Sequence, residues 1–223
     1  MVNCQLHDLG FIGYSDAWAM QKQLFESNVE KKRNGGDTSF HLLVCEHNPV
    51  YTMGKSTDKA NLLVSSDFLE QNKIELFQIE RGGDITYHGP GQLVVYPIFD
   101  LEKLKIGVKE YVFLVEKTII DTLKSFGIDS DRIENKIGIW LDKNGASERK
   151  IAAIGIKCSR YVTMHGLALN VNTDLNYFNH LIPCGIVDKG VTSMQKELGE
   201  QLDFNVVKTC LINNFSTIFE LKF

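Results

Sequence analysis

Two residues able to do nucleophilic chemistry stand out in the stretch from Glu148 to Ile186, ERKIAAIGIKCSRYVTMHGLALNVNTDLNYFNHLIPCGI. Lys150 opens an apolar run, and Cys184 lies in a Pro-Cys-Gly turn; His165-Gly166 falls between them, ahead of a second apolar run. A thiol attacks as its thiolate, and a neighbouring cation stabilises that form, so a cysteine brought to a lysine makes an activated nucleophile. Pro183 and Gly185 put Cys184 in irregular backbone, from which a side chain can be aimed at a cleft. The lysine is open. Lys150 and Lys157 are seven positions apart and in an unbroken strand face opposite ways, so only one meets Cys184, and periodicity does not say which.

A second segment, RGGDITYHGPGQ at residues 81–92, carries four glycines and one proline, a density that rules out a regular element. It matches neither GxGxxG nor GxxxxGK[ST], so phosphate binding has no specific support. Gly82-Gly83 lets backbone pass close to a ligand, with Arg81, Tyr87 and His88 bringing a fixed charge, a phenol and a titratable ring to the same place. The reading is a ligand wall; the alternative is a turn whose Arg and His satisfy local carbonyls. Of the other cysteines, Cys4, Cys45 and Cys210 sit in apolar patterns and read as buried, inert thiols. Cys158 follows Lys157, but adjacent strand residues point to opposite faces, so that lysine does not serve it.

These residues need a scaffold. Residues 3–13 form a strand, and Ser15 is expected to cap a helix with Trp18, Met20, Leu24, Phe25 and Val29 at near-helical spacing. Lys31-Lys32-Arg33 closes it as a solvated helix end, a docking patch for an acidic partner being the sharper alternative. Phe40–Cys45 is a strand; residues 47–56 read as irregular; Ser66 caps a short helix; Ile74–Ile79 and residues 93–99 are strands. Val108, Val112, Val115, Ile119, Leu123 and Phe126 mark a long amphipathic helix closed by Gly127. Lys136–Leu141 and Lys150–Lys157 are strands joined through an Asn-Gly turn at residues 142–145, His165–Val171 is another, and helical spacing runs from Ser193 to about Phe219. Strands grouped in hairpins with helices between them favour an α+β fold with a largely antiparallel sheet, in one domain spanning residues 1–223.

Composition excludes several classes. With 43% hydrophobic and 23% charged residues, this is an ordinary globular profile. A net charge of −4 argues against general nucleic-acid binding. Five scattered cysteines with no CxxC give no disulfide framework and no zinc spacing, hence no metal is expected and a reducing, cytoplasmic setting is. No secretory leader is visible, and no apolar run reaches the ~20 residues that cross a bilayer, so no membrane role is expected.

The motifs HNPVYTMGK, RGGDITYHGPGQLVVYP, KIAAIGIK, HGLALNVNTDL and FNHLIPCGI, five in order over most of the chain, resemble those of the lipoyl(octanoyl) transferases of the LipB type. The resemblance implies the fold of biotin and lipoate ligases, a mixed sheet flanked by helices. It implies transfer of an octanoyl group from octanoyl-acyl carrier protein to a lysine on a lipoyl domain of a 2-oxo acid dehydrogenase or on the glycine-cleavage H protein, with no cofactor and no ATP. Under it, Cys184 carries the acyl group as a thioester and Lys150 is the catalytic lysine. Substrate contacts fall on Arg81, Gly82, Gly83, Asp84, Ile85, Thr86, Tyr87 and His88, on Ala153, Ile154 and Gly155, and on Gly166, Leu167 and Ala168. The glycines at 155 and 166 are expected to leave room for the acyl chain, and Lys31–Arg33 or Lys103, Lys105 and Lys109 to meet an acidic carrier. The rivals are an ATP-dependent lipoate or biotin ligase of the same fold and a non-enzymatic acyl-binding adaptor.

Overall fold

A continuous apolar run makes strand β2 (Phe40–His47) the centre of the structure, because it is covered on both sides. Side chains alternate along a strand, and here Leu42 and Val44 enter one core while Leu43 and Cys45 enter another on the opposite face. Strand β6 (Gln92–Ile98) repeats the pattern, with Leu93 and Val95 on the first side and Val94, Tyr96 and Ile98 on the second. The computed structural model describes residues 1–143, 145–182 and 190–223.

Around this centre lie β1 (Val2–Ile12), β7 (Asp131–Ile133), β8 (Lys136–Leu141), β9 (Arg149–Ser159), β10 (Val162–Asn170), β11 (Gly190–Val191) and β12 (Leu221–Lys222). The sheet runs β12-β1-β2-β6-β10-β9-β8-β7, with β11 also paired to β9. The pairs β1–β12, β1–β2 and β11–β9 are parallel and the others antiparallel. This is the mixed, largely antiparallel α+β arrangement expected from the sequence. Helices α3 (Val108–Ser125) and α5 (Phe204–Ile218) cover one face through Val115, Ile119 and Leu123 and through Val207, Leu211 and Phe215. The other face takes α1 (Tyr14–Arg33), which buries Ala17, Phe25 and Val29 against β6 and β10. Helices α2 (Ser66–Gln71) and α4 (Met194–Leu198) are short.

A second sheet, β4 (Glu75–Gln78), β3 (Val50–Met53) and β5 (Ile85–His88), contradicts two expectations. Residues 47–56 contain β3, and the glycine-rich residues 81–92 contain β5. Both are four-residue runs of strand-forming side chains that pair with each other antiparallel, Val50 opposite His88 through Met53 opposite Ile85. Glycine and proline at the flanks shorten such strands without abolishing them. Two caps also move. α1 starts at Tyr14 behind Gly13, leaving Ser15 inside the first turn, and the cap of α2 is Ser65, whose hydroxyl accepts the Phe68 N–H at 3.2 Å. Cys4 and Cys45 are buried as expected, whereas Cys210 is only half-buried.

The basic end of α1 is not simply solvated. Lys32 Nζ lies 2.7 Å from both Asp100 Oδ1 and Glu102 Oε2, and the nearly buried Asp100 also accepts from Thr38 Oγ1 at 2.9 Å. The carboxylates hold the Lys32 ammonium above its usual range against the opposing effect of burial. Lys103 is likewise paired, with Asp37. These two lysines answer local acids, while Lys31, Arg33, Lys105 and Lys109 are exposed. Lys32→Ala leaves Asp100 buried without its cation and is expected to cost about 1.5–3 kcal/mol in urea unfolding, against about 0.5 kcal/mol or less for the exposed Lys31→Ala.

Candidate active site

β9 and β10 form the floor of a cavity of about 430 Å³. Gly155 is paired with Gly166 and Ala153 with Ala168, while Arg81 to His88 form the facing wall. All the sequence-derived contact residues line this cavity except Tyr87. Alternation along β5 turns the Tyr87 side chain away, into a small core where it is fully buried and stacks on Tyr177 with ring centroids 4.6 Å apart.

The two glycines work differently from expectation. A Cβ at Gly155 would come within 2.9 Å of Arg81 Cδ, and one at Gly166 within 2.1 Å of the Val95 carbonyl oxygen. They are absent side chains that admit Arg81 and strand β6, and they do not carve an acyl slot. Arg81, itself buried, donates from Nη2 to the Thr52 carbonyl at 2.6 Å and from Nη1 to the Gly82 carbonyl at 3.1 Å, clamping the glycine-rich wall onto β3. Asp84 accepts the Ile85 N–H at 2.7 Å and the Asn61 side-chain N–H at 2.6 Å.

Lys150 lines the cavity with its Nζ 4.7 Å from the centroid of the Trp140 ring, a cation–π contact. The register explains how. β9 pairs Ala152 with Ile139 and then Lys150 with Trp140, so Ile151 is one residue more than β8 matches. Ile151 and Ala152 both enter the α3/α5 core, and alternation resumes with Lys150 on the cavity face. The expectation that Lys150 and Lys157 face opposite ways therefore fails: the strand is broken by one residue, and both lie on the same side. Lys157 sits at the other end of β9, paired with Glu80 and over the Phe25 ring. Cys158 points to the opposite core, away from Lys157.

Cys184 lies outside the described residues. The chain on each side of it is anchored. Ile182 N–H donates to the Asn61 carbonyl at 2.8 Å, and that same Asn61 is held by Asp84 of the cavity wall. On the far side, Gly190 and Val191 line the cavity and pair with Arg149 and Lys150, and Thr192 N–H donates to the Lys150 carbonyl at 2.9 Å. None of the four described cysteines lines the cavity. Burial pushes the Cys4 thiol up to about 12, and it raises Cys45 and Cys158 as well. These thiols are held in the unreactive form.

Several lining residues were missed in the sequence: Trp140, Tyr14, Tyr96, Gln92, Asn170 and Phe178. Gln92 and Asn170 lie inside the motifs RGGDITYHGPGQLVVYP and HGLALNVNTDL, where a polar residue at the edge of an apolar run was the available signal. The cavity also holds two histidines in the neutral form. Burial first, then His47, Arg81 and His165, bring His88 down to about 3, with Gln92 opposing; burial, Arg81 and Lys157 bring His165 to about 3. His165 is 3% exposed, adopts φ 62° within β10, and donates its backbone N–H to Gln21 Oε1 at 3.2 Å.

The chain matches the model of the family described as "Lipoyl protein ligase A/B catalytic domain" over residues 13–216. In fold it is similar to a bi-partite lipoate protein ligase from Thermoplasma acidophilum, with a TM-score of 0.75 at 17% identity, covering 100% of this chain and 86% of that one. It is also similar to the biotin protein ligase from Aquifex aeolicus, at 0.52 and 13%, covering 99% and 70%. The fold is that of the lipoate and biotin ligases. Among curated relatives, an octanoyltransferase of Bacteroides fragilis is 49% identical over 201 residues, 90% of this chain and 91% of the relative. One of Parabacteroides distasonis is 47% identical over 220 residues, 98% and 100%. The chain belongs to the octanoyltransferases of the lipoyl protein ligase A/B catalytic-domain family, which are acyltransferases.

The histidines set an acid limit on stability. A ring at pKa ~6.5 unfolded and about 3 folded binds a proton only in the unfolded chain between those values. Its stabilising contribution is therefore complete above pH ~6.5 and lost as pH falls, at up to ~1.4 kcal/mol per pH unit per ring. His41 and His47, both lowered to about 4 chiefly by burial, add to the same slope. Unfolding free energy is expected to fall steadily from pH 7 to pH 4.5; a flat profile in urea titrations over that range would show that the rings titrate normally.

Proposed function

We propose that the protein moves an octanoyl group from octanoyl-acyl carrier protein to a lysine of a lipoyl domain, through a thioester on Cys184. The observation that carries this reading is Lys150 on the cavity face, hydrogen-bonded through its backbone carbonyl to Thr192, eight residues after Cys184 in the sequence. A Lys150 ammonium near Cys184 stabilises the thiolate and lowers a thiol pKa that is otherwise ~8.5. The thiolate attacks the carrier thioester: a new carbon–sulfur bond forms, the carrier's carbon–sulfur bond breaks, and Lys150 gives its proton to the departing thiolate. Lys150 is then neutral. When a neutral acceptor amine attacks the Cys184 thioester, the carbon–nitrogen bond forms, the thiolate leaves, and Lys150 takes the proton from nitrogen. The ammonium–thiolate pair is thereby restored, and no ATP enters the cycle.

Members of the same fold, such as the Thermoplasma acidophilum protein, are lipoate protein ligases. An ATP-dependent ligase activates a free acid and does not require Cys184. Mixing the protein with octanoyl-acyl carrier protein alone is expected to raise its intact mass by one octanoyl unit, as a hydroxylamine-labile adduct that Cys184→Ser abolishes. Transfer only from free octanoate plus ATP would establish the ligase reading, and no adduct with no transfer the adaptor.

The lysine assignment has its own test. Lys150→Ala is expected to lower transfer to a lipoyl domain by about 100-fold or more, the scale of a lost general base. Lys157→Ala, which removes the ion pair with Glu80, is expected to cost less than about 10-fold. Steady-state rates showing the reverse order would exchange the two roles.

A further inference from the structure

One group on the cavity wall is fixed in a form that the reaction can use. His88 Nδ1 lies 2.8 Å from Gln92 Oε1; Gln92 Nε2 donates to the Tyr87 carbonyl at 3.1 Å and to Asn170 Oδ1 at 2.9 Å; Asn170 Nδ2 donates to the Thr192 carbonyl at 3.0 Å. All three side chains are buried. The direction of this chain is set by its ends, because backbone carbonyls only accept. Thr192 demands the NH₂ of Asn170, which turns Asn170 Oδ1 toward Gln92. Asn170 Oδ1 and the Tyr87 carbonyl together demand the NH₂ of Gln92, which turns Gln92 Oε1 toward His88. The proton of a neutral His88 is therefore on Nδ1, and its Nε2 carries a lone pair. Nε2 has no hydrogen-bond partner among the described residues, and His88 is one of the residues that line the cavity. The Tyr14 ring lies parallel to it at 6.1 Å, which fixes its plane.

The structure assigns His88 Nε2 as the hydrogen-bond acceptor that receives an N–H of the incoming acceptor amine, oriented by the Gln92–Asn170–Thr192 chain. This rests on the octanoyl-transfer reading and adds to it a residue specific to the second step. An amine that attacks a thioester presents its lone pair to the carbonyl and its N–H bonds elsewhere, and a lone-pair acceptor at the wall selects that orientation. A carrier thioester offers no N–H at its reacting atoms, so the first step makes no such demand. The charged and titratable groups facing His88 from the elements packed on it are Tyr14 of α1, His47 of β2, His165 of β10 and, from the segment before β5, Arg81. None is a carboxylate that would stabilise an imidazolium in its place. The chain also ends where the chemistry is, since Thr192 donates to the Lys150 carbonyl.

Two measurements test the assignment. In histidine-¹⁵N-labelled protein, His88 is expected to show a protonated Nδ1 and an unprotonated Nε2 from pH 5.5 to 8; an Nε2–H tautomer or an imidazolium in that range overturns it. The half-reactions are then timed separately on His88→Asn, whose amide replaces the Nδ1 donor to Gln92 without the ε acceptor, and His88→Gln, whose amide reaches the ε position. For His88→Asn, octanoyl transfer from the loaded enzyme to a lipoyl domain is expected to fall about 100-fold while loading falls less than 10-fold, and His88→Gln is expected to recover at least 10-fold of the lost transfer. Equal losses in both steps, or no difference between the two variants, overturn the assignment. If the parent protein forms no octanoyl adduct, the underlying transfer reading has failed instead; if His88→Asn does not fold, the labelled parent still decides the tautomer.

Discussion

One residue in excess decides which face of β9 carries Lys150. Ile151 has no partner in β8, and because of it two consecutive side chains of β9 enter the core while Lys150 turns to the cavity. With strict alternation, Lys150 would point into the apolar layer under α3 and α5, where an unpaired ammonium costs several kcal/mol. The shift converts an impossible core position into a cavity position and uses the same strand for both purposes. It also puts Lys157 on the same side, so the two lysines differ by place along β9 and not by face. At ~3.3 Å per residue they are on the order of 20 Å apart. Lys157 holds Glu80 at one end, and Lys150 stands over Trp140 at the other.

What could be read from the sequence was whatever depends on a regular period. The apolar spacing of α3 and the continuous runs of β2 and β6 gave elements that match the structure closely. The helical spacing read from Ser193 to about Phe219 is instead divided into α4 and α5, because Gly199 ends the first in the left-handed region and Asp203 caps the second. A one-residue register shift leaves no trace in one strand's own pattern, since it is a property of the pair β8–β9. The short strands β3 and β5 escaped for a related reason: four residues between glycines or prolines show too little alternation to be separated from a loop, and their pairing with each other makes them strands. In the site, motif order located the wall and the floor, while side-chain direction came only with the fold. Tyr87 belongs to the glycine-rich segment yet faces away, and Gln92 and Asn170 looked like ordinary polar residues until β6 and β10 placed them side by side.

The glycines carry a similar lesson about cause. Gly155 and Gly166 face each other across β9 and β10, which suggests space left for a ligand. The neighbours of their missing side chains are protein atoms: Arg81 on one and the Val95 carbonyl on the other. Space for a ligand is created one step removed. Arg81 can approach the floor because Gly155 has no Cβ, and its guanidinium then ties the wall to Thr52. That clamp fixes the wall against β3.

Keeping the histidines neutral completes the electrostatics of the site. A desolvated imidazole beside Arg81 is held far below its usual titration range, and His88 and His165 both meet that condition. Arg81 is a fixed charge whose donors serve the Thr52 and Gly82 carbonyls. Neither imidazole then takes up a proton at neutral pH. In the proposed reaction, a proton exchanged between a thiol, an amine and Lys150 would not be intercepted by the rings beside it, and the imidazole lone pairs stay available for hydrogen bonding. Burial of two histidines, which lowers stability toward acid, would in that reaction reserve proton transfer for the lysine.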